Sequence, residues 1–425
     1  MTLLFDFIYL LLAFFYLPSL LFKGKRRIGL RQRFGIYPNL IKKALKEHDN
    51  FVWVHAVSVG EMKAAALLIR QLRSSFPGVR FVISTITPTG NTVAKQIATK
   101  EDIVIYLPFD LSIIVNKTLS LINPKMLIIL ETELWPNMIC IASRKKIPVV
   151  IANGRISDGA YPKYKKLSIV FTPIIKRITL LCMQSEKDAQ RIIALGARPK
   201  NVQVVGNIKF DQVGEAFSKE LPELKTNKNE LLIIAGSTHD NEEEMLARVF
   251  IKLKQVHHDI RLLIAPRHPR RAIEVERVLS KYGLSSKSMS RIMQEGLQVG
   301  PEDVLVLDIM GVLAQVYKSA DIVFMGGSLV KHGGQNPIEP ALCFKPIVFG
   351  QYMFNFREIE KLFLSEKAAV SVDSEERLMR CLDELIRDKG KRESLAANAQ
   401  ALVSKNQGAV KRIVELLKEK ELLLK

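Results

Sequence analysis

The chain has 425 residues and a formal net charge of +20. That length suits two or three domains with sizeable cores. No arginine-rich repeat, zinc-finger spacing or interleaved aromatic ladder accompanies the basic residues, so nothing supports a nucleic-acid partner, and an anionic membrane surface or anionic substrate accounts for the charge as well.

At the N-terminus, Leu3 to Phe22 is apolar apart from Asp6, with Pro18 as its one helix breaker. As a helix it would be about 30 Å long, one bilayer core. From Lys23 to Lys46 there are nine basic residues and no acidic one. The charge follows the apolar run rather than preceding it, as it would in a signal peptide. The reading is a retained anchor with the basic flank and everything after it on the cytoplasmic side. A helix lying in the interface is the alternative, because Asp6 and Pro18 interrupt a clean span.

Beyond the anchor, Phe51–Val57, Val79–Thr87, Ile103–Leu107, Lys125–Leu130, Pro148–Ala152, Leu180–Gln184 and Val202–Val205 read as strands. Helical patterns lie at Glu61–Leu72, Thr92–Ala98, Trp135–Ser143 and Glu186–Leu195. Short apolar runs alternating with longer helical ones predict a parallel sheet wrapped by helices. Residues 212–229 read as a linker. The pattern restarts at Leu231–Ala235 and continues at Ile260–Ala265, Val304–Leu307, Ile322–Met325 and Pro346–Phe349, with helices at Glu375–Arg387 and Val410–Leu423. The expected organisation is an anchor over 1–22, a Rossmann-like domain over 23–211, a linker, and a second Rossmann-like domain over 230–425.

Polar residues just after predicted strands are candidates for ligand contact. Glu61 opens a helix behind Gly60, where an acidic residue also has a plain helix-dipole role. Glu131 and Glu133 end a strand two residues apart, so both point the same way. Asn153, Gly154 and Arg155 follow another strand, and Lys209 follows the last one. His55, inside a strand, reads as a satisfied, half-buried histidine rather than a catalyst. In the second half, Ser237-Thr238-His239, Pro266-Arg267-His268 and Met310-Gly311 occupy such positions. Arg267 suits a phosphate or carboxylate, or else a surface ion pair.

The stretch from Val323 to Leu342 is the most informative. A strand runs into the pairs Gly326–Gly327 and Gly333–Gly334, then Asn336-Pro337-Ile338-Glu339. Asn, Pro and Glu at these offsets make a capping-box pattern, and a helix N-terminus behind a glycine loop is an anion site. A Glu339 that only caps its own helix is the plain alternative. The four cysteines, Cys140, Cys182, Cys343 and Cys381, are too scattered for a disulfide framework or a zinc site and read as buried thiols. The seven histidines show no metal-ligand spacing, and neither a Lys-Ser/Thr phosphate loop nor a Gly-x-Ser-x-Gly elbow is present.

In order, the chain spells VHAVSVGEM, STITPTG, YLPFDL, ETELWPN, IANGRIS, GNIKFD, GSTHDNEE, APRHPRR, DIMG, GGSLVKHGGQNPIEPA and FNFREI. It resembles the 3-deoxy-D-manno-oct-2-ulosonic acid (Kdo) transferases of lipopolysaccharide assembly. The resemblance implies a GT-B architecture and inverting transfer of Kdo from CMP-Kdo to a lipid A precursor, with neither metal nor cofactor. It implies that Glu61 is the general base and that Glu131 and Lys209 support the transition state. It places Pro266, Arg267, Met310, Gly311, Val312, Asn336, Pro337, Ile338 and Glu339 around CMP. Many relatives have Glu where this chain has Val312, which is harmless if the contacts there are made by backbone. Other GT-B enzymes, such as UDP-sugar transferases or nucleotide-sugar epimerases, and a non-catalytic membrane scaffold are the competing readings.

Overall fold

The computed structural model describes residues 2–11, 28–211, 222–227 and 229–422. The chain divides into two compact units, one of residues 1–211 with 406–425, the other of residues 212–405.

The first unit is a seven-stranded sheet of β1 (Phe51–His55), β2 (Arg80–Thr85), β3 (Ile103–Tyr106), β4 (Met126–Leu130), β5 (Val149–Gly154), β6 (Leu180–Met183) and β7 (Val202–Val204). Its order is β3-β2-β1-β4-β5-β6-β7 and every pairing is parallel. Strands such as Met126–Leu130 are buried along their whole length because helices cover both faces. The chain leaves β1 in one direction and returns to its other side at β4. The carboxyl ends of β1 and β4 therefore flank a topological switch point, where such sheets hold ligands.

The second unit repeats the design with β8 (Leu231–Thr238), β9 (Ile260–Pro266), β10 (Ser286–Ser288), β11 (Val304–Val306), β12 (Ile322–Met325), β13 (Ile347–Gly350) and β14 (Val370–Val372). The order is β10-β11-β9-β8-β12-β13-β14, again all parallel. Here the switch point lies between β8 and β12. Two parallel sheets in tandem agree with the expected two Rossmann-like domains.

Two expectations change. The helix Ala409–Glu419 belongs to the first unit, not to a second domain running to residue 425. Its buried Val410, Ile413, Val414 and Leu417 join the core of Val52, Val54, Leu68 and Ile128. Asp211 fixes its start by accepting the N–H groups of Gly408 and Val410, both at 2.6 Å. The second change concerns the expected anchor helix over Leu3 to Phe22. Residues 12–27 lie outside the described residues, and among the described ones no helix is long and apolar enough to cross a membrane.

Residues 2–11 are helical, and their 2-5-6-9 face lies against the first unit. Phe5 is buried in its core. Asp6 accepts from Ser112 N at 2.7 Å and from Asn137 Nδ2 at 2.9 Å. The Tyr9 hydroxyl donates to Asp110 at 3.2 Å. Asp6, which interrupts the apolar run in sequence, is thus a tie between the helix and the sheet domain. Leu3, Leu4, Phe7, Ile8, Leu10 and Leu11 are exposed on the other side.

Asp110 is the hinge pin of this contact. It accepts the N–H groups of Asn137 at 2.9 Å and Met138 at 2.8 Å, at the start of the helix Pro136–Arg144. Burial pushes its carboxyl up to about 7 from the ordinary 3.8, against the pull of those donors. A group raised on folding contributes stability that is full below its unfolded value and fades as pH climbs through its folded value. Asp110→Ala is expected to cost about 2 kcal/mol or more, because it strands two buried N–H groups. The melting-temperature gap from the parent should be widest near pH 4 and narrow toward pH 7. A gap that widens over that interval would contradict this assignment.

Candidate active site

In the first unit, the β1 end and the β4 end each deliver a carboxylate to the switch point. Ser58 caps the helix Val59–Ser75, its hydroxyl oxygen accepting from Glu61 N at 3.2 Å. The same hydroxyl donates to Glu61 Oε1 at 2.8 Å, and Val57 N donates to Oε2 at 2.8 Å. Glu61 therefore does perform the local capping role. It is also buried, and that burial, with a smaller push from Glu131, raises its carboxyl above the ordinary carboxylate range. Two donors leave further lone pairs of the carboxylate for a ligand.

Glu131 follows β4 with a left-handed backbone, φ 56°, which is costly for a residue with a Cβ. Its N–H still pairs with Ala152 O at 2.8 Å, so the turn is locked to β5. Arg155 Nε reaches Glu131 Oε2 at 3.0 Å and Lys209 Nζ lies 3.6 Å from Oε1. Lys209 sits on the turn Ile208–Asp211. Buried Asn153 holds that turn by accepting from Ile208 N at 2.9 Å. The three residues expected to act together, Glu61, Glu131 and Lys209, are thus brought to one place. Lys209 is paired with Glu131 rather than standing apart from it.

Two neighbours join them. Arg155, read only as a polar residue after β5, bridges to Glu131. Glu133 is half-buried, and burial together with Glu61 and Glu131 raises its carboxyl. The two-residue spacing of Glu131 and Glu133 was the sequence signal for it. His55 is fully buried, its Nδ1 at 2.9 Å from Ser84 Oγ and 3.1 Å from Ser84 O, and burial pushes it down to about 4. It is fully buried rather than half-buried, and its Nε2 has no hydrogen-bond partner among the described residues, so only one ring nitrogen is satisfied.

In the second unit, the expected nucleotide residues follow β11 and β9, which are adjacent, and β12, which β8 separates from them. Met310, Gly311 and Val312 follow β11, and Pro266 and Arg267 lie at the end of β9. The glycine loop with Asn336, Pro337, Ile338 and Glu339 follows β12. Arg267 is exposed, with its backbone N–H on Thr238 O at 3.0 Å. Gly311 has φ 85°, and Val312 is buried beneath the short helix Leu313–Val316. The side chain at position 312 therefore faces the protein interior. Asn336 Oδ1 accepts from Ile338 N at 3.2 Å, and the helix proper is only Ile338–Leu342. Glu339 lies close enough to Tyr317 and Cys343 to push both groups upward, after their own burial.

The loop after β12 differs from the sequence reading in one respect. Its N–H groups do face an anion, but the anion is internal. Buried Glu242 accepts from Gly327 N at 2.6 Å and from Ser328 N and Leu329 N, both at 3.0 Å. It also accepts from His239 N at 3.0 Å. Gly326 has to be glycine, since a Cβ there would stand 2.5 Å from Ser237 O and Thr238 Cα. Among the described residues no group of three or more His, Cys, Asp or Glu is arranged to hold a metal ion.

A family model for 3-deoxy-D-manno-octulosonic-acid transferase (kdotransferase) matches residues 29–212. The 3-deoxy-D-manno-octulosonic acid transferase of Haemophilus influenzae is 34% identical over 400 residues, covering 92% of this chain and 91% of its own. The chain belongs to the Kdo transferase family. A Rickettsia bellii transferase of the same description is 30% identical over 403 residues, 93% of each chain. Membership makes the chain a Kdo glycosyltransferase. A solved UDP-GlcNAc 2-epimerase from Neisseria meningitidis is 13% identical with a TM-score of 0.55, covering 87% of this chain and 100% of that one. That likeness concerns the fold.

Proposed function

We propose that this Kdo transferase moves Kdo from CMP-Kdo to a hydroxyl of a lipid A precursor, with inversion, at the cytoplasmic face of the inner membrane. The observation that carries the reading is the pairing of Glu61 and Glu131 across the switch point of the first sheet in a chain of this family. The acceptor hydroxyl has to lose its proton as the new bond forms, and Glu61 is the base that takes it. Glu131, held by Arg155 and Lys209, faces the positive charge that builds on the sugar. Lys209 offsets negative charge on the donor. The second unit holds CMP through Pro266 and Arg267, backbone of Met310 to Val312, and Asn336 to Glu339.

The acceptor's lipid character fits the N-terminal segment. The helix 2–11 turns six apolar side chains outward while Asp6 and Tyr9 tie it to the sheet domain. Nine basic residues follow between Lys23 and Lys46. An apolar face beside a basic flank suits an anionic bilayer surface, with the helix lying in the interface.

The test is direct. The full chain is incubated with CMP-Kdo and a tetraacylated lipid A precursor, and the products are weighed. The expected result is a mass increase by one or more Kdo residues, with CTP and CMP competing and UDP not. A preference for UDP, or conversion of a UDP-sugar without transfer, would replace this reading by the epimerase one.

A further inference from the structure

His239 and His332 come from the two loops that flank the switch point of the second sheet, after β8 and after β12. Their imidazoles stack with centroids 4.1 Å apart and planes 12° from parallel. Gly327, with φ 67°, leaves the room for this, since a Cβ there would stand 3.0 Å from the His239 ring. Asn355 Nδ2 holds the His332 carbonyl at 3.0 Å. The His239 Nε2 atom is enclosed and has no hydrogen-bond partner among the described residues. The N–H groups of residues 327 to 329 cannot serve an external anion, because Glu242 takes them.

The charges facing His239 come from several elements. His332 stacks on it, and Arg267, His268 and Arg271 approach from the segment after β9. Arg271 is already engaged by Asp240, Glu243 and Glu274. Glu242 is spent on backbone N–H groups, and Glu243 on Thr238 and Arg271. Arg267 makes no side-chain ion pair among the described residues. Arg267 therefore keeps its charge free of a carboxylate among the described residues, beside one unspent imidazole nitrogen.

We propose that His239, backed by its stacking partner His332 and by Arg267, is a donor-binding residue that takes an oxyanion of the sugar nucleotide at Nε2. This rests on the reading that the second unit holds the donor. Burial first, then His332 and the neighbouring arginines, push the free imidazole down to about 4, so it is neutral before binding. An anion at Nε2 favours the protonated ring. Binding then takes up a proton, and affinity rises as pH falls between the bound and free values.

The oxyanion is either the phosphate or the sugar carboxylate, and the probes separate them. The full chain is titrated calorimetrically with cytidine, with the methyl ester of CMP and with CMP-Kdo, each in two buffers of different ionisation enthalpy. The methyl ester keeps one charge throughout, whereas CMP itself would titrate near pH 6. Proton uptake with the ester identifies the phosphate, and uptake with CMP-Kdo alone identifies the carboxylate. His239→Gln should abolish the uptake and weaken that ligand about tenfold or more, leaving cytidine unchanged. Uptake by the parent chain needs no variant, so a poorly folded one does not block the test. Ligand binding without proton uptake, matched by His239→Gln, would overturn the inference alone. Failure of the parent chain to bind any of the three would overturn the donor reading and this with it.

Discussion

Glu61→Gln is expected to lower turnover about a hundredfold or more while CMP affinity stays near that of the parent chain. The amide is nearly the size of the carboxylate but cannot take the acceptor's proton. Its one oxygen keeps one of the two donors, Ser58 Oγ or Val57 N, so the helix start loses about 1 kcal/mol at most. A melting curve close to the parent's would separate this loss from the loss of chemistry. The pH profile gives a second reading. Burial and Glu131 raise the Glu61 carboxyl, and a base has to be ionised, so kcat/KM should fall on the acid side above the ordinary carboxylate range. Glutamine should flatten that limb. Single-turnover transfer from CMP-Kdo to lipid measures the step itself. Near-normal transfer by the variant would move the role to Glu131 or to water.

The expected effect depends on Glu61 doing two jobs with one carboxylate, and this explains what a sequence can and cannot show. A glutamate in a helix's first turn reads as a complement to the helix dipole, and here it also closes a capping box with Ser58. What the sequence could not show was burial; that Glu131 lies near Glu61 follows from both ending strands of one sheet, and β4 does pair with β1. Central strands such as Met126–Leu130 were plain because an uninterrupted apolar run has few other fates. β10, with the sequence Ser-Lys-Ser, and β14, three residues long, were missed, since short edge strands carry little apolar signal. The helix Ala409–Glu419 was recognised but given to the wrong unit. Its amphipathic pattern states that one face is buried, not which sheet buries it. The glycine loop reads in sequence as a ligand site at the helix start after it, whereas the N–H groups at its beginning close on an internal carboxylate. Its partner Glu242, 85 residues earlier than Gly327, carries no sequence signal beyond that of an acidic residue in a helix's first turn.

That partner makes the second large effect a loss of fold. Glu242→Ala is expected to destabilise the second unit by about 4 kcal/mol or more. The carboxylate satisfies four backbone N–H groups, those of His239, Gly327, Ser328 and Leu329. Each buried donor left without a partner costs about 1–3 kcal/mol. The loop cannot turn to water instead, because Gly326 is pressed against Ser237 and Thr238 and Ser328 is buried. Glu242→Gln should rescue little, for its NH2 group would face two donors where an acceptor is needed. Glu242→Asp falls short by one methylene and should lie between. A domain's whole stability is about 5–15 kcal/mol, so the alanine variant should lose a large share of it. Urea unfolding of the full chain, followed by hydrogen exchange at residues 327–329, reads the effect where it arises. If those amides stay protected and the transition is unmoved in Glu242→Ala, the loop is held by its own turns. The buried carboxylate would then not be what shapes the end of β12.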